Sequence, residues 1–180
     1  MKLIDISTIK HPEIFTRVDD FNYDFLNKFR WHAWIAKCGL VYAIRTFRIK
    51  VTGKYSAIKL HRFIFCSHFG DNKNFVDHID GDSLNNQISN LRIVTPQQSA
   101  WNRKIQNISG AKYKGIEIKK YKNSVYYRAR ITFNKKEYRL GSFKTQEEAA
   151  LAYNDAAIKY YGEYARLNNI LSEKNQEATP

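Results

Sequence analysis

The chain is 180 residues long, with 30 Lys and Arg against 17 Asp and Glu and a formal net charge of +13 at pH 7. A hydrophobic fraction of 43% supports real cores in one large or two small domains, and no run of about 18 apolar residues is present to span a bilayer. Cys38 and Cys66 are the whole cysteine complement, which excludes a four-cysteine zinc ribbon and a disulfide scaffold and suits a reducing compartment. The start, Met1-Lys2-Leu3-Ile4-Asp5, is interrupted by charge at Asp5 and Lys10 where a secretory leader is apolar. The expectation is a cytoplasmic protein with no membrane partner, no structural zinc and a polyanionic ligand.

In chain order, the first third reads as aromatic and strand-like. Val18-Asp19-Asp20 leads into Tyr23, Phe25, Leu26 and Phe29, then Trp31 and Trp34, both expected in a core. After a turn at Lys37-Cys38-Gly39, Val41 to Ile49 alternates and is rich in strand formers. Gly53-Lys54 turns the chain again, and Ala57 to Ile64 continues the strand pattern. This meander feeds the most informative stretch, Val76-Asp77-His78-Ile79-Asp80-Gly81-Asp82, which sets a carboxylate beside an imidazole at the end of a short apolar run. Asn85-Asn86 and a second apolar run (Ile88, Leu91, Ile93, Val94) follow. Thr95-Pro96-Gln97-Gln98 reads as a helix start, with Thr at the cap, Pro at the first helical position and Gln three residues after the cap. Strand, loop, strand and helix with an Asp-His pair on the first strand form a compact frame for one divalent metal and one general base. In so basic a chain the matching substrate is a phosphodiester. Asp80 and Asp82 are read as turn chemistry.

Lys104 to Gly110 is short and polar and contains the Ser109-Gly110 breaker, so a linker is expected over 105–112. Beyond it, 113–118, 125–133 and 137–143 read as three strands. Thr145-Gln146-Glu147-Glu148 is a capping box opening a helix, with Ala149, Ala152, Tyr153, Ala156 and Tyr160 on one stripe and Gly162 as its stop. Strand parity puts Val125, Tyr127, Ala129, Ile131 and Phe133 on the face that takes the helix, matched by Ile116, Ile118, Tyr138 and Leu140. The opposite face shows Tyr126, Arg128, Arg130, Thr132, Glu117, Lys119, Glu137 and Arg139. Charge is segregated too: residues 112–139 hold ten Lys and Arg against two Glu, whereas 140–167 hold three against four acids. Such a sheet face fits the major groove of a duplex.

Two resemblances gather these features. Residues 75–104 resemble the HNH endonuclease motif, or ββα-metal fold, of phage and intron-borne homing endonucleases. Asp77-His78-Ile79-Asp80-Gly81, Asn85-Asn86, Asn90-Leu91 and Val94-Thr95-Pro96 carry the likeness. Residues 113–168 resemble an AP2-type DNA-binding domain through Tyr113-Lys114-Gly115-Ile116, Tyr127-Arg128-Ala129-Arg130-Ile131, Leu140-Gly141-Ser142-Phe143, Glu147-Glu148-Ala149-Ala150 and Leu167-Asn168. Together they imply an α+β protein: a β-rich region plus HNH nuclease over 1–104, the linker, an AP2-like three-stranded antiparallel sheet on one helix over 113–168, and a tail over 169–180.

The resemblance also implies roles. His78 is the general base, Asp77 binds a divalent metal (Mg²⁺ or Mn²⁺), and Asn90 fixes the loop that orients His78. At the helix position where relatives usually carry Asn or His, this chain has Ser99, and Asn102 lies one turn later. Ser99 and Asn102 are therefore alternative second ligands. The AP2 likeness assigns DNA binding to Lys114, Glu117, Lys119, Arg128, Arg130, Thr132 and Arg139, with residue types that differ from the plant pattern. The implied partner is double-stranded DNA, bound by a monomer that nicks one strand per event. The alternative is a non-catalytic DNA-binding protein with a decayed HNH site.

Overall fold

The computed structural model describes residues 1–70, 74–104 and 110–170, which divide into two compact units, 1–99 and 100 onward. Most of the expected linker, residues 105–109, and the tail from residue 171 lie outside the described residues. The architecture is mixed α+β, with several small antiparallel sheets and four helices among the described residues.

In the first unit, β1 (Lys2–Asp5) pairs antiparallel with β2 (Phe15–Val18), and α1 (Asp20–Leu26) follows. Next, β3 (His32–Ile35), β4 (Val41–Arg48) and β5 (Tyr55–Lys59) form an antiparallel sheet in that order, leading into α2 (Leu60–Phe69). The hairpin of β6 (Phe75–His78) and β7 (Leu91–Val94) is joined by a loop that ends in a 3₁₀ turn (Ile88–Asn90). It leads to α3 (Pro96–Trp101). A single apolar cluster unites these pieces: Ile4, Ile6, Val18, Leu26, Trp31, Leu60, Ile64 and Leu91 are all buried in it. Each such side chain contributes roughly 1.5–3 kcal/mol relative to exposure.

Two segments expected as strand are helical. In α2, Leu60 with Ile64 and His61 with Phe65 are buried pairs at i, i+4, so a helical stripe won over the alternation that the same residues also satisfy. Gly70 ends the helix in the left-handed region, with φ +67° and its N–H on the Cys66 carbonyl. In α1, Asn22 and Leu26 are the buried i, i+4 pair, and Asp20 sits in the first turn where the helix dipole favours an acid. Of the two tryptophans expected in the core, Trp31 is buried and donates its indole N–H to the Leu26 carbonyl. Trp34 instead lies on the outer face of β3, 43% exposed, beneath the Lys59 ammonium.

The helix start at Thr95 forms as read. The Thr95 hydroxyl accepts from the Gln98 N–H, and the Gln98 side chain accepts from the Thr95 N–H. At the other end of α3, the Lys114 ammonium donates to the carbonyls of Trp101 and Arg103. Burial, together with Arg166 and Arg103 nearby, lowers the Lys114 pKa to about 8.

In the second unit, β8 (Ile116–Tyr121), β9 (Ser124–Phe133) and β10 (Lys136–Phe143) form an antiparallel sheet in order β10-β9-β8, and α4 (Gln146–Tyr161) packs on one face. The capping box is complete: Thr145 accepts from the Glu148 N–H, and the Glu148 carboxylate accepts from the Thr145 N–H. Ala149, Ala150, Tyr153, Ala156, Ala157 and Tyr161 are the buried stripe. Ala129 and Ile131 face it from β9, while Val125, at the hairpin end of the strand, is 44% exposed. A bulge between Arg139 and Gly141 shifts the register of β10. It turns Phe143, rather than Ser142, onto the core face. Ala111, read as linker, is buried in this core, and Lys112 donates its N–H to Gln146.

The first strand begins at Ile116 rather than residue 113 because Gly115 adopts φ +79°. A Cβ there would lie 2.0 Å from the buried Tyr153 ring and 2.9 Å from the Arg130 carbonyl oxygen. Gly115→Ala therefore combines an unfavourable backbone region with overpacking, and is expected to destabilise the protein by about 2–4 kcal/mol. Denaturant unfolding of the variant checks this.

Candidate active site

The loop between β6 and β7 carries most of the motif side chains, and β2 holds it in place. The Arg17 N–H donates to the Leu84 carbonyl at 2.8 Å, and the Asn86 N–H donates to the Arg17 carbonyl at 2.8 Å. The Thr16 hydroxyl donates to the Leu84 carbonyl at 2.9 Å, and the Asp19 carboxylate accepts from the Ile88 N–H at 2.8 Å. Arg17 also forms an ion pair with Asp82. Within the loop, Asn90 donates to Asp80 and to the Asn85 carbonyl, each at 2.9 Å, and accepts from the Asp80 N–H. Asp80 and Asp82 thus serve the turn, as expected from the sequence. Burial disfavours ionisation of Asp80, but hydrogen bonds from Asn85, the Asp82 N–H and Asn90 outweigh it and hold the carboxyl below its usual range.

His78 ends β6 with its ring 5% exposed. Alternation along the strand turns Val76 and His78 toward the core and Asp77 to the other side of the hairpin. There the Asp77 carboxylate lies 4.0 Å from the Arg92 guanidinium, across from it in the register. The ring of His78 is held by Asn86, not by Asn90: Nε2 is 3.2 Å from Asn86 Oδ1. The direction of that bond follows from its neighbours. The Thr16 hydroxyl donates to Leu84, so it accepts from Asn86 Nδ2 at 2.7 Å, and the same amide nitrogen also donates to the Ser83 carbonyl. Asn86 Oδ1 is then the acceptor, His78 Nε2 carries the hydrogen, and Nδ1 is the basic nitrogen of the neutral ring.

Nothing local in the sequence marks Asn86, one of the motif residues, for this role. His61 is legible there only as part of the strand-like run from Ala57 to Ile64 before the motif, with no role at the site. His61, on α2, meets His78 edge-to-face with ring centroids 4.8 Å apart. Burial pushes the pKa of both rings down, His61 far more strongly. At His78 the effect is opposed by Asn86 and by the charges of Asp77, Asp80 and Asp82. The signal for His61 was available, since it recurs at i, i+4 with Phe65 on the apolar face of a segment read as strand.

Ser99, on α3, is partly buried, and its N–H donates to the Thr95 carbonyl. Asn102 lies just past α3, 5% exposed, and falls in the second unit. Among the described residues, no three His, Cys, Asp or Glu side chains gather into a metal-binding group. Of the residues the resemblance offers as metal ligands, only Asp77 is a carboxylate, and Ser99 and Asn102 would add neutral oxygens. That fits a hard Mg²⁺-type cation that keeps several waters and takes substrate phosphate oxygens.

In the second unit, the outer sheet face brings Glu117, Lys119 and Arg128 into one ion-paired group, with Glu117 2.8 Å from Lys119 and 3.8 Å from Arg128. Arg130 pairs with Glu137 at 2.9 Å on the same face, and Thr132 is exposed beside it. Arg128 and Arg139 line a shallow cleft at the β10 bulge with Leu140, Gly141 and Ser142. Lys114 is not on this face, being tied to the end of α3.

With this geometry in view, comparison with known proteins is specific. The family model described as HNH endonuclease matches residues 59–100, from the last residue of β5 through α2 and the hairpin into α3. An uncharacterized HNH endonuclease, L560, of Acanthamoeba polyphaga mimivirus is 30% identical over 151 residues, covering 82% of this chain and 71% of that protein. Protein 3.8 of Escherichia phage T7 is 29% identical over 92 residues, covering 51% of this chain and 74% of its own length. The chain belongs to the HNH endonuclease family. No helix among the described residues is long and apolar enough to cross a membrane.

The buried, neutral His61 makes stability depend on pH. In the unfolded chain this ring takes up a proton at about pH 6.5, whereas the folded state resists protonation far below that. Its contribution is therefore unaffected above that value and turns against folding as pH falls beneath it. The expected slope is up to about 1.4 kcal/mol per pH unit. Denaturant midpoints measured from pH 8 to 5 are expected to fall less steeply in His61→Phe than in the unaltered chain.

Proposed function

We propose that the chain is a metal-dependent endonuclease that cuts duplex DNA with His78 as general base. The carrying observation is the buried His78 ring, whose Nε2–H is committed to Asn86 and whose pKa is lowered by burial, so that a neutral ring offers Nδ1 as proton acceptor near pH 7. Nδ1 takes a proton from water as the water oxygen bonds to phosphorus. The bond from phosphorus to the 3′ oxygen breaks, and the departing oxygen is protonated from solvent. Asp77, with either Ser99 or Asn102, would hold the cation, Mg²⁺ or Mn²⁺. When bound, such an ion offsets negative charge on the scissile phosphate and on the leaving oxygen. Asn90 acts at one remove, by locking the Asp80–Asn85 loop that carries Asn86 into position.

In this reading, residues 1–104 are the nuclease domain, 105–112 the connection, 113–168 an AP2-like module and 169–180 a tail. The module is supported by the sheet-on-helix arrangement and by the arginines on its open face, with Arg128, Arg130, Thr132, Arg139, Glu117 and Lys119 as the duplex-reading group. One site in one chain cuts one strand per binding event, so a monomer nicks. Ser99, where relatives carry an amide or imidazole, favours a second reading: a DNA-binding protein whose nuclease centre has lost its metal.

His78→Ala is expected to lower cleavage of supercoiled plasmid in Mg²⁺ by at least about 10²–10⁴-fold, with duplex affinity retained. Wild-type cleavage in this variant rules out His78 as the base. Ser99→Asn is expected to lower the Mg²⁺ concentration for half-maximal cleavage, because an amide oxygen reaches further than a one-carbon hydroxyl. Metal titrations of Ser99→Asn and Asn102→Ala separate the two candidate ligands. An inactive unaltered chain that Ser99→Asn activates establishes the second reading.

A further inference from the structure

Far along the sequence from the motif, the first unit carries a cationic cleft of about 460 Å³. One wall is the tight turn of residues 7–11, and the other is Arg30, His32 and Ala33 at the start of β3. The turn is closed by reciprocal backbone bonds, Thr8 N–H to His11 carbonyl at 2.9 Å and His11 N–H to Thr8 carbonyl at 3.0 Å. The two walls are tied together by the Ala33 N–H on the Ile6 carbonyl at 2.7 Å. The Ser7 hydroxyl accepts from the Ile14 N–H, which fixes the return of the chain. These bonds fix the backbone of both walls relative to each other.

Its chemistry is one-sided. Lys10 and Arg30 supply two exposed cations, His11 and His32 supply ring nitrogens, and no acid lines the cleft. Of the two acids that flank the turn in sequence, Asp5 and Glu13, neither lines the cleft, and Asp5 accepts from the Ser7 N–H. At the apex Ile9 is fully exposed between a hydroxyl and an ammonium. An open cleft with two cations, further N–H donors and one apolar tip matches a sugar–phosphate backbone, in which charged phosphates alternate with apolar sugar faces.

We propose that this cleft holds a backbone phosphate of duplex DNA, giving the nuclease unit its own grip on the substrate, separate from the sheet face of the second unit. The proposal rests on the endonuclease reading above. Phosphate contacts of this kind position a protein without reading sequence and are expressed in the salt dependence of binding. No local pattern marks the site, because Lys10 and Arg30 lie twenty residues apart and only the fold gathers them with His32.

The test uses the full chain in metal-free buffer, binding a mixed-sequence duplex over a range of salt concentrations. Lys10→Gln/Arg30→Gln changes two exposed side chains, and an unchanged melting temperature verifies folding. The double variant is expected to bind more weakly on every sequence, with the slope of log affinity against log salt shallower by about one, as for the loss of one neutralised phosphate. A slope equal to that of the unaltered chain overturns the cleft and leaves the endonuclease reading standing. Polyglutamate competing as well as DNA for the unaltered chain, but not for the double variant, also overturns it, in favour of an acidic-peptide site. An unaltered chain that neither binds nor cuts duplex overturns the endonuclease reading, and the cleft with it.

Discussion

One buried amide sets the geometry of the candidate active site. Asn86 is 1% exposed, and its three hydrogen bonds run in a direction fixed by the Leu84 and Ser83 carbonyls at the far end. That direction leaves only its oxygen for His78, which selects the tautomer of the ring. Replacing either Thr16 or Asn86 by an apolar residue would leave a buried polar group without its partner, a cost of about 1–3 kcal/mol, and would free the imidazole to turn over. The arrangement explains why the site draws on residues far outside the 59–100 segment. A two-stranded hairpin is marginal alone. Here β2 lies along its loop, and the cluster around Ile6, Val18 and Leu60 supplies the wall behind it.

What could be read from the sequence was what local chemistry dictates. The Thr95 and Thr145 helix starts, the β6–β7 hairpin with its Asp-His pair, and the helix-facing parity of Ala129 and Ile131 each rest on residues within one or two turns of one another. The failures are positions where two periodicities coincide or where a distant contact decides. Leu60 to Ile64 satisfies both a strand and a helix pattern, and the helix wins because it buries two i, i+4 pairs at once. Trp34 has the hydrophobicity of a core residue but sits one step out of phase with Ala33. The bulge at Arg139 to Gly141 inserts one residue and changes which side chain meets the helix, a shift that alternation alone cannot reveal. Asn86 looked like one more loop asparagine, because its partners Thr16 and His78 lie 70 and 8 residues away.

The charges on the outer sheet face do little for stability. Exposed pairs such as Arg130 with Glu137 and Lys119 with Glu117 contribute at most about 1 kcal/mol each and weaken as salt rises. Their effect is to hold long side chains in place: the hydrogen bond from Lys119 keeps the Glu117 carboxyl below its usual range, so the acid stays charged beside Arg128. An acid among arginines also restrains indiscriminate attraction to polyanions, which a bare cationic surface would not.

The seam between the two units has a consequence for how the chain can be taken apart. The division falls within α3: Ser99 belongs to the first unit and Trp101 to the second, where the indole lies flat on the Tyr161 ring at 4.5 Å and near Phe133 at 5.7 Å. A fragment ending at Lys104 would keep α3 whole but strip that indole of its ring partners, presenting a large apolar face to water. The same cut would leave Lys114, in the other piece, without the Trp101 and Arg103 carbonyls that receive its ammonium. A fragment ending at Ser99 would spare both, but would sever α3 two residues before its natural end. A cut after Ser99 thus keeps the aromatic stack whole at the expense of the helix, and a cut after Lys104 does the reverse.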